Sequence, residues 1–358
     1  MSYRILVINP GSTSTKIAIY DGESEVVRMT LRHSESDLSK FHAMADQSEY
    51  REGFVLKFLE ENNISLDSIN AVVGRGGLLK PVAGGTYKVN DEMCDFIRHA
   101  KRGEHASNLG SLVAKSIANK INVEAFIVDP VVVDELEPEA RVAGHPLFER
   151  ISIFHALNQK AVARISAAKM GKKYEDCNFV IAHIGGGISV GAHRKGRVVD
   201  VNNALDGDGA FSAERSGDLP TGQLVELCFS GKYSKQEVKK MLKGKGGVVA
   251  YLGTNDMIEV EKRINEKHQK AERIFIAMCY QITKQIGAYA AVLGGKVDRI
   301  IITGGVANDK KLVEYISSRV SFIAPVEVFP GEEEMRPLAL GALRVLNKEE
   351  KAKEYTSN

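Results

Sequence analysis

The chain has 358 residues, 44% hydrophobic and 26% charged, with a formal net charge of +2. That length exceeds one ordinary hydrophobic core and fits two domains of about 150 residues each. The near-neutral charge gives no reason to expect nucleic acid or an anionic membrane as partner, and no apolar stretch approaches the ~20 residues that span a bilayer.

The N-terminal MSYRILVINPGSTST lacks the charged-then-apolar layout of a signal peptide and reads as a first strand. Apolar runs of four to six residues then alternate with helical patterns along the whole length, which signals an α/β architecture. In the first half, strands are predicted at 5–9, 16–20, 69–73 and 125–128, with helices at 53–62 and 107–119. In the second half, helices are predicted at 154–170, 235–242 and about 270–293, with strands at 179–183, 188–193, 299–303 and 326–329. Ser234 and Glu237 form a capping-box pair at the start of their helix. The charged tail 348–354 reads as a solvated helix end. Cys94, Cys177, Cys228 and Cys279 are scattered, with no CxxC and no metal-ligand spacing. Four reduced thiols in the cytoplasm are the expectation.

A repeat lies across the two halves. Written one above the other, ILVINPGSTSTKIAIYDGE (5–23) and FVIAHIGGGISVGAHRKGR (179–197) align without a gap. Gly11 falls on Gly185, Gly22 on Gly196, and the polar Asn9 on the polar His183. Each segment is a strand, a Gly- or Ser-rich turn, a second strand and a tight turn ending in Gly. Hairpins are simple, and simplicity is the competing explanation, but matched glycines and matched polar strand ends argue for two homologous domains. Two such domains would face each other across a cleft, with both donor-rich turns aimed into it, and backbone N–H groups in such turns suit phosphate oxygens.

The first turn, Asn9-Pro-Gly-Ser12-Thr-Ser14-Thr-Lys16, offers hydroxyls, backbone donors and a lysine, so Ser12, Ser14 and Lys16 are candidate phosphate ligands. It is not a Walker A loop, because GxxxxGK[ST] occurs nowhere in the chain. A Ser/Thr-rich hairpin turn needs no ligand, which weakens this signal taken alone. The second turn holds His183, Gly185, Gly186 and Gly187, and three consecutive glycines sacrifice more chain entropy than a bare turn requires. Acidic, Gly-rich DVNNALDGDG (200–209) reads either as a metal approach or as a turn. Gly304, Gly305 and Asn308 follow a strand and open a helix, a placement that suits a nucleotide. Arg75 and Asp129 each come directly after a predicted strand, where ligands of open α/β sheets bind. Arg215 lies in a polar loop ahead of Pro220, and His155 in the first turn of its helix. Taken singly, each of these is better explained by a surface charge or a core histidine.

Together they match a pattern. INPGSTSTK, GRGG, VDPVV, SIFHALNQK, AHIGGGISVG, ERSGDLP and ITGGVAN, spread over nearly the whole length, resemble the acetate/butyrate kinase family. That family belongs to the group of actin-, sugar-kinase- and heat-shock-ATPase-like folds. Short length, VDPVVVDE, NNALDGDG and the absence of GFHGTSH and GNG turns resemble its butyrate and branched-chain fatty-acid kinase branch. The resemblance implies that Arg75 and Arg215 hold the carboxylate and the transferring phosphoryl group, and that His155 hydrogen-bonds the phosphoryl oxygens. It implies that Asn9, Asp129 and Glu334 surround Mg²⁺, that His183 and Gly185–Gly187 hold the nucleotide phosphates, and that Gly304, Gly305 and Asn308 hold the adenosine. A further histidine that acetate kinases carry between the Arg75- and Asp129-like positions has no match; His105 and Ser107 lie in that stretch and neither is assigned.

The chemistry agrees with that resemblance. A carboxylate is already a nucleophile at pH 7, so the demand is to bring two anions together, and arginines with Mg²⁺ meet it by neutralising charge. Asn9 stands where sugar kinases and actin-like ATPases present Asp, which fits an acceptor that arrives with its own negative charge. The expectation is therefore two ribonuclease-H-like α/β domains, 1–150 with a C-terminal helix at about 336–358, and 151–335, with the active site in the cleft between them. The first would serve the acyl substrate and phosphate, and the second the nucleotide. The expected reaction is reversible, in-line phosphoryl transfer between ATP and a short-chain fatty acid such as butyrate, by a cytoplasmic homo-oligomer, dimer or higher. Two other readings compete with this one. A sugar or alcohol kinase of the same fold would need an aspartate base, a role Asp129 could fill. A non-enzymatic actin-like nucleotide sensor is disfavoured because no DNA-binding module or filament-forming insertion is evident.

Overall fold

The computed structural model describes residues 2–357 and divides them into two units, one running to Val133 and resuming at Glu333, the other Asp134–Glu332. In the first unit β1 (Arg4–Pro10), β2 (Ser14–Asp21), β3 (Ser24–Arg32), β4 (Ala71–Gly74), β5 (Thr86–Lys88) and β6 (Glu124–Val128) form one sheet in the order β3-β2-β1-β4-β6-β5. The first three strands are an antiparallel meander, β4 and β6 run parallel to β1, and β5 returns antiparallel to β6. Residues Leu6, Ile8, Ile17 and Ile19 pack with Val55 and Phe58 of the helix Ser48–Glu61 and with Val113 and Ile117 of the helix Asn108–Lys120. Residues 5–10 of β1 are buried without alternation, because helices cover both faces of a central strand.

In the second unit β7 (Asn178–Ile184), β8 (Ile188–Arg194), β9 (Arg197–Val201), β10 (Arg299–Gly304) and β11 (Val326–Pro330) form a sheet ordered β11-β10-β7-β8-β9. That is the order β6-β4-β1-β2-β3 of the first unit, with the same strand directions. The helix Gln269–Val292 buries Ile274, Met278, Ile282 and Ile286 against Val180, Ala182 and Val190. Both units thus carry a ribonuclease-H-like sheet, and the repeat seen in the sequence is a repeat of the whole strand order.

The hairpins differ by one residue. Four residues separate the register partners Pro10 and Thr15, but three separate Ile184 and Ile188, so the ungapped alignment slips by one beyond the turn. The tight turns show the consequence: Gly22 takes positive φ at the first turn position, whereas Lys195 and Gly196 both do in the second hairpin. The two glycines match in sequence and not in turn position.

Three strands, β3, β5 and β9, fall outside the predicted elements. The tail is not a helix end. After the helix Met335–Leu346, Lys353 exchanges backbone hydrogen bonds with β5 through Thr86 and Lys88, and Tyr355 is buried against Phe96. The units divide between Val133 and Asp134, where a boundary at 150 was expected. The physical reason is local pairing: Glu135 meets Lys160, the Glu137 N–H donates to Val199 O, and Arg150 pairs with Asp200.

Candidate active site

The first unit gathers three of the expected residues around one carboxylate. Asn9 ends the buried part of β1, Arg75 follows β4, and Glu334 caps the helix Met335–Leu346. Asn9 Nδ2 donates to Glu334 Oε2 at 2.7 Å, and Arg75 Nη1 lies 2.7 Å from Glu334 Oε1 and 3.4 Å from Asn9 Oδ1. Both Arg75 contacts use Nη1 of a fork with five N–H groups. Asp129 follows β6 with φ of 38°, an unusual conformation for an aspartate. It is locked to Gly85, whose N–H donates to Asp129 Oδ1 at 2.7 Å while the Asp129 N–H donates back to Gly85 O. His105 turns onto Ser107, Nδ1 to Oγ at 2.8 Å.

Beneath the first turn lies a residue the sequence reading missed. Arg51 of the helix Ser48–Glu61 is fully buried, and its guanidinium donates to the main-chain oxygens of Gly11, Ser12 and Ser14 and to Thr15 Oγ1. Among the described residues no carboxylate pairs with it, and burial pulls its pKa below the usual value. The turn's carbonyls therefore point in at a buried cation. Ser12 and Lys16 stay exposed, and Lys16 is the register partner of Asn9, which places both on one face of the β1–β2 pair.

The second unit gathers the rest. His155 caps the helix Ala156–Lys169 and stacks on His183, ring centroids 3.8 Å apart and nearly parallel. His183 is buried, with Nδ1 2.8 Å from Asn158 Oδ1 and Nε2 3.0 Å from Glu332 Oε1. The Gly185–Gly187 turn closes on itself through a Gly185 N–H to Gly187 O bond. Arg215 lies directly over it: a Cβ on Gly187 would come within 1.8 Å of Arg215 Nη1. Arg215 Nη1 donates to Ala204 O at 2.6 Å, while its Nε is buried with no partner. Burial pulls this guanidinium's pKa down without neutralising it. Gly186 O accepts from Ser212 Oγ, which ties the turn to the Arg215 loop.

Beside them opens a cavity of about 480 Å³, lined by Gly185, Gly186, Gly305, Asn308, by Asn255 just ahead of the helix Met257–Asn265, and by Ile258 in its first turn. Its size suits a nucleotide-sized ligand. Gly304 takes φ of 96° and exchanges hydrogen bonds with Gly331; Asn308 Nδ2 donates to Gly305 O. The sequence reading found the glycines but not Asn255, Ile258 or Glu332, which stand in stretches without motif character.

Behind His155 runs a buried polar chain: Ser189 Oγ, the Gln159 amide, His193 and the Tyr174 hydroxyl, each 2.7–2.9 Å from the next. Complete burial holds His193 well below the usual histidine pKa, and burial with the nearby Arg51 charge lowers His33 to about 4. Both rings are neutral when folded, whereas the unfolded chain protonates them below about pH 6.5. Stability is therefore expected to fall as pH drops below 6.5, by up to about 1.4 kcal/mol per pH unit for His193 alone. Urea midpoints between pH 7.5 and 5.5 check this, and His193→Gln should show a visibly flatter dependence.

A butyrate kinase 2 from Clostridium acetobutylicum is 54% identical over 99% of this chain and 100% of its own. Acetate kinase from Porphyromonas gingivalis shares the fold with a TM-score of 0.78 at 19% identity, covering 96% of this chain and 100% of that one. A propionate kinase from Francisella tularensis gives 0.74 at 17% identity, over 95% and 98%. The model of the acetokinase family matches residues 149–327. With two repeated ribonuclease-H-like units and a relative matched end to end, the chain belongs to the acetokinase family.

Proposed function

We propose that the protein catalyses reversible phosphoryl transfer between ATP and a short-chain fatty acid, with butyrate or a branched four- to five-carbon acid as the preferred acceptor. The observation that carries this reading is the end-to-end match to a butyrate kinase, joined to two arginines placed at glycine-lined turns. No general base is required, because the acceptor carboxylate is already ionised. The work is charge neutralisation and alignment.

In this reading Arg75 and Arg215 receive the acid and the transferring phosphoryl group, and His155 donates to a phosphoryl oxygen. The Gly185–Gly187 turn with His183 takes the nucleotide phosphates, and the cavity lined by Gly305 and Asn308 takes the adenosine. Ser12, Ser14 and Lys16 contribute donors on the side of the acid. Asn9, Asp129 and Glu334 supply the hard oxygen donors that suit Mg²⁺, which when bound would neutralise charge on the phosphates. Glu334, now ion-paired to Arg75, would then divide its two oxygens between cation and arginine. The first unit serves the acid and the second the nucleotide. The cytoplasm suits the four free thiols. Self-association suits the helix Thr221–Phe229, none of whose residues is buried although Val225 and Phe229 are apolar.

The acid series tests the substrate assignment. One methylene in an apolar pocket is worth about 1–3 kcal/mol, so acetate should be a poor substrate and still a measurable one. Comparing kcat/KM for acetate, propionate, butyrate, isobutyrate and valerate settles it. Acetate at the top of the series would refute the chain-length assignment.

A further inference from the structure

We infer that Ser189, Gln159, His193 and Tyr174 form a proton-ordering chain that holds His155 as the neutral tautomer with its proton on Nε2. Donors and acceptors match along the chain in one way only. The main-chain oxygen of Ser189 can only accept, and one amide atom of Gln159 lies 3.0 Å from it. That atom is therefore Nε2, and Oε1 faces His193 Nε2 at 2.8 Å. His193 Nε2 must carry a proton to satisfy it. Since burial keeps this ring neutral, its Nδ1 is bare and accepts from the Tyr174 hydroxyl at 2.7 Å.

The same matching settles the hydroxyl. Ser189 Oγ accepts from Gln159 Nε2 at 2.9 Å and faces the His155 main-chain N–H at 3.4 Å. Both lone pairs are then engaged, and the hydroxyl proton goes to the neighbour that remains, His155 Nδ1 at 2.8 Å. His155 Nδ1 is an acceptor, so its proton sits on Nε2. A second proton on Nδ1 would put three donors around one hydroxyl oxygen. The chain thus disfavours the imidazolium. That also suits the stacked His183 ring, because a cation there would lie 3.8 Å from its neighbour.

This inference rests on the reading that His155 donates to a phosphoryl oxygen, and it adds how the donor is presented. Ser189 and Gln159 are positioning residues: they keep a neutral N–H donor ready and leave the charge to the arginines. A histidine in the other tautomer would offer a lone pair to an anionic oxygen.

Ring-nitrogen NMR of the full-length ¹⁵N-histidine-labelled protein tests it without relying on activity, with His155→Gln to assign the signal. The expected wild-type spectrum has a pyrrole-type shift at Nε2 of His155 and a pyridine-type shift at Nδ1. Ser189→Ala should lose that pattern and lower kcat at least about tenfold with little change in KM for ATP, whereas Ser189→Thr keeps both. A wild-type ring protonated on Nδ1 overturns the inference whatever the variants do. So does an unchanged tautomer in Ser189→Ala. If His155→Gln turned over normally, the role of His155 would fall while the tautomer assignment stood, so the two failures are distinguishable.

Discussion

Replacing Arg215 with alanine is expected to lower kcat by roughly 10²-fold or more, with the protein still folded. Arginines that meet charge as it develops on a transferring phosphoryl group contribute up to 10³–10⁵ in kcat. Arg215 is built for that work: its Nε is buried without a partner and its guanidinium lies against the Gly185–Gly187 turn. An unpaired donor kept dry costs folding energy and becomes useful when an anion arrives. Lysine should rescue poorly, since a point charge cannot reproduce a planar fork. Arg75→Ala should show a comparable loss, with one addition. Glu334 loses its ion-pair partner, so thermal stability should fall as well. If Arg75 only anchors the acid, its loss appears chiefly in KM for the acid. Steady-state kinetics of both alanine and both lysine variants, with folding checked by circular dichroism, separate these outcomes. Near-normal kcat and KM in both folded alanine variants would remove these arginines from the mechanism.

Gly187→Ala should be nearly as damaging as Arg215→Ala, although it deletes nothing. Its new methyl would sit 1.8 Å from Arg215 Nη1 and 2.5 Å from Cζ, a separation no side chain tolerates, so the guanidinium must leave its place. A kcat loss of roughly 10²-fold is expected, since the arginine's function goes with its position. The double variant decides the cause. If Gly187→Ala acts through Arg215, then adding it to Arg215→Ala costs little more, and the two losses are far from additive. Independent, multiplying losses would show that Gly187 matters for the turn alone.

How much of this was legible in the sequence depends on what kind of interaction each residue makes. β1 and β7 announced themselves, because central strands buried on both faces leave unbroken apolar runs such as ILVI and FVIA. The edge strands β3 and β5 carry charges among their apolar residues, as SEVVRMTLR shows, and gave no such run. Glycines marked the turns at 185–187 and 304–305, but only the fold shows why Gly187 must lack a side chain: its obstacle, Arg215, lies 28 positions further on. Arg51 is a lone arginine in a charged helix and gave no local sign of its burial. The Tyr174–His193–Gln159–Ser189 chain was equally silent, because its members come from a 3₁₀ turn, one strand of a hairpin and a helix. Side-chain networks assembled across elements leave no period for a sequence to display.

The central claim is that a carboxylate, and not an alcohol, accepts the phosphoryl group. The most direct measurement incubates the protein with ATP, Mg²⁺ and hydroxylamine, with either butyrate or a panel of sugars, and counts ADP and acyl hydroxamate together. Hydroxylamine intercepts an acyl phosphate and ignores a sugar phosphate. ADP and hydroxamate formed in equal amounts, with butyrate and not with the sugars, is the predicted result. ADP released in the presence of a sugar, with no hydroxamate from any acid, would contradict it.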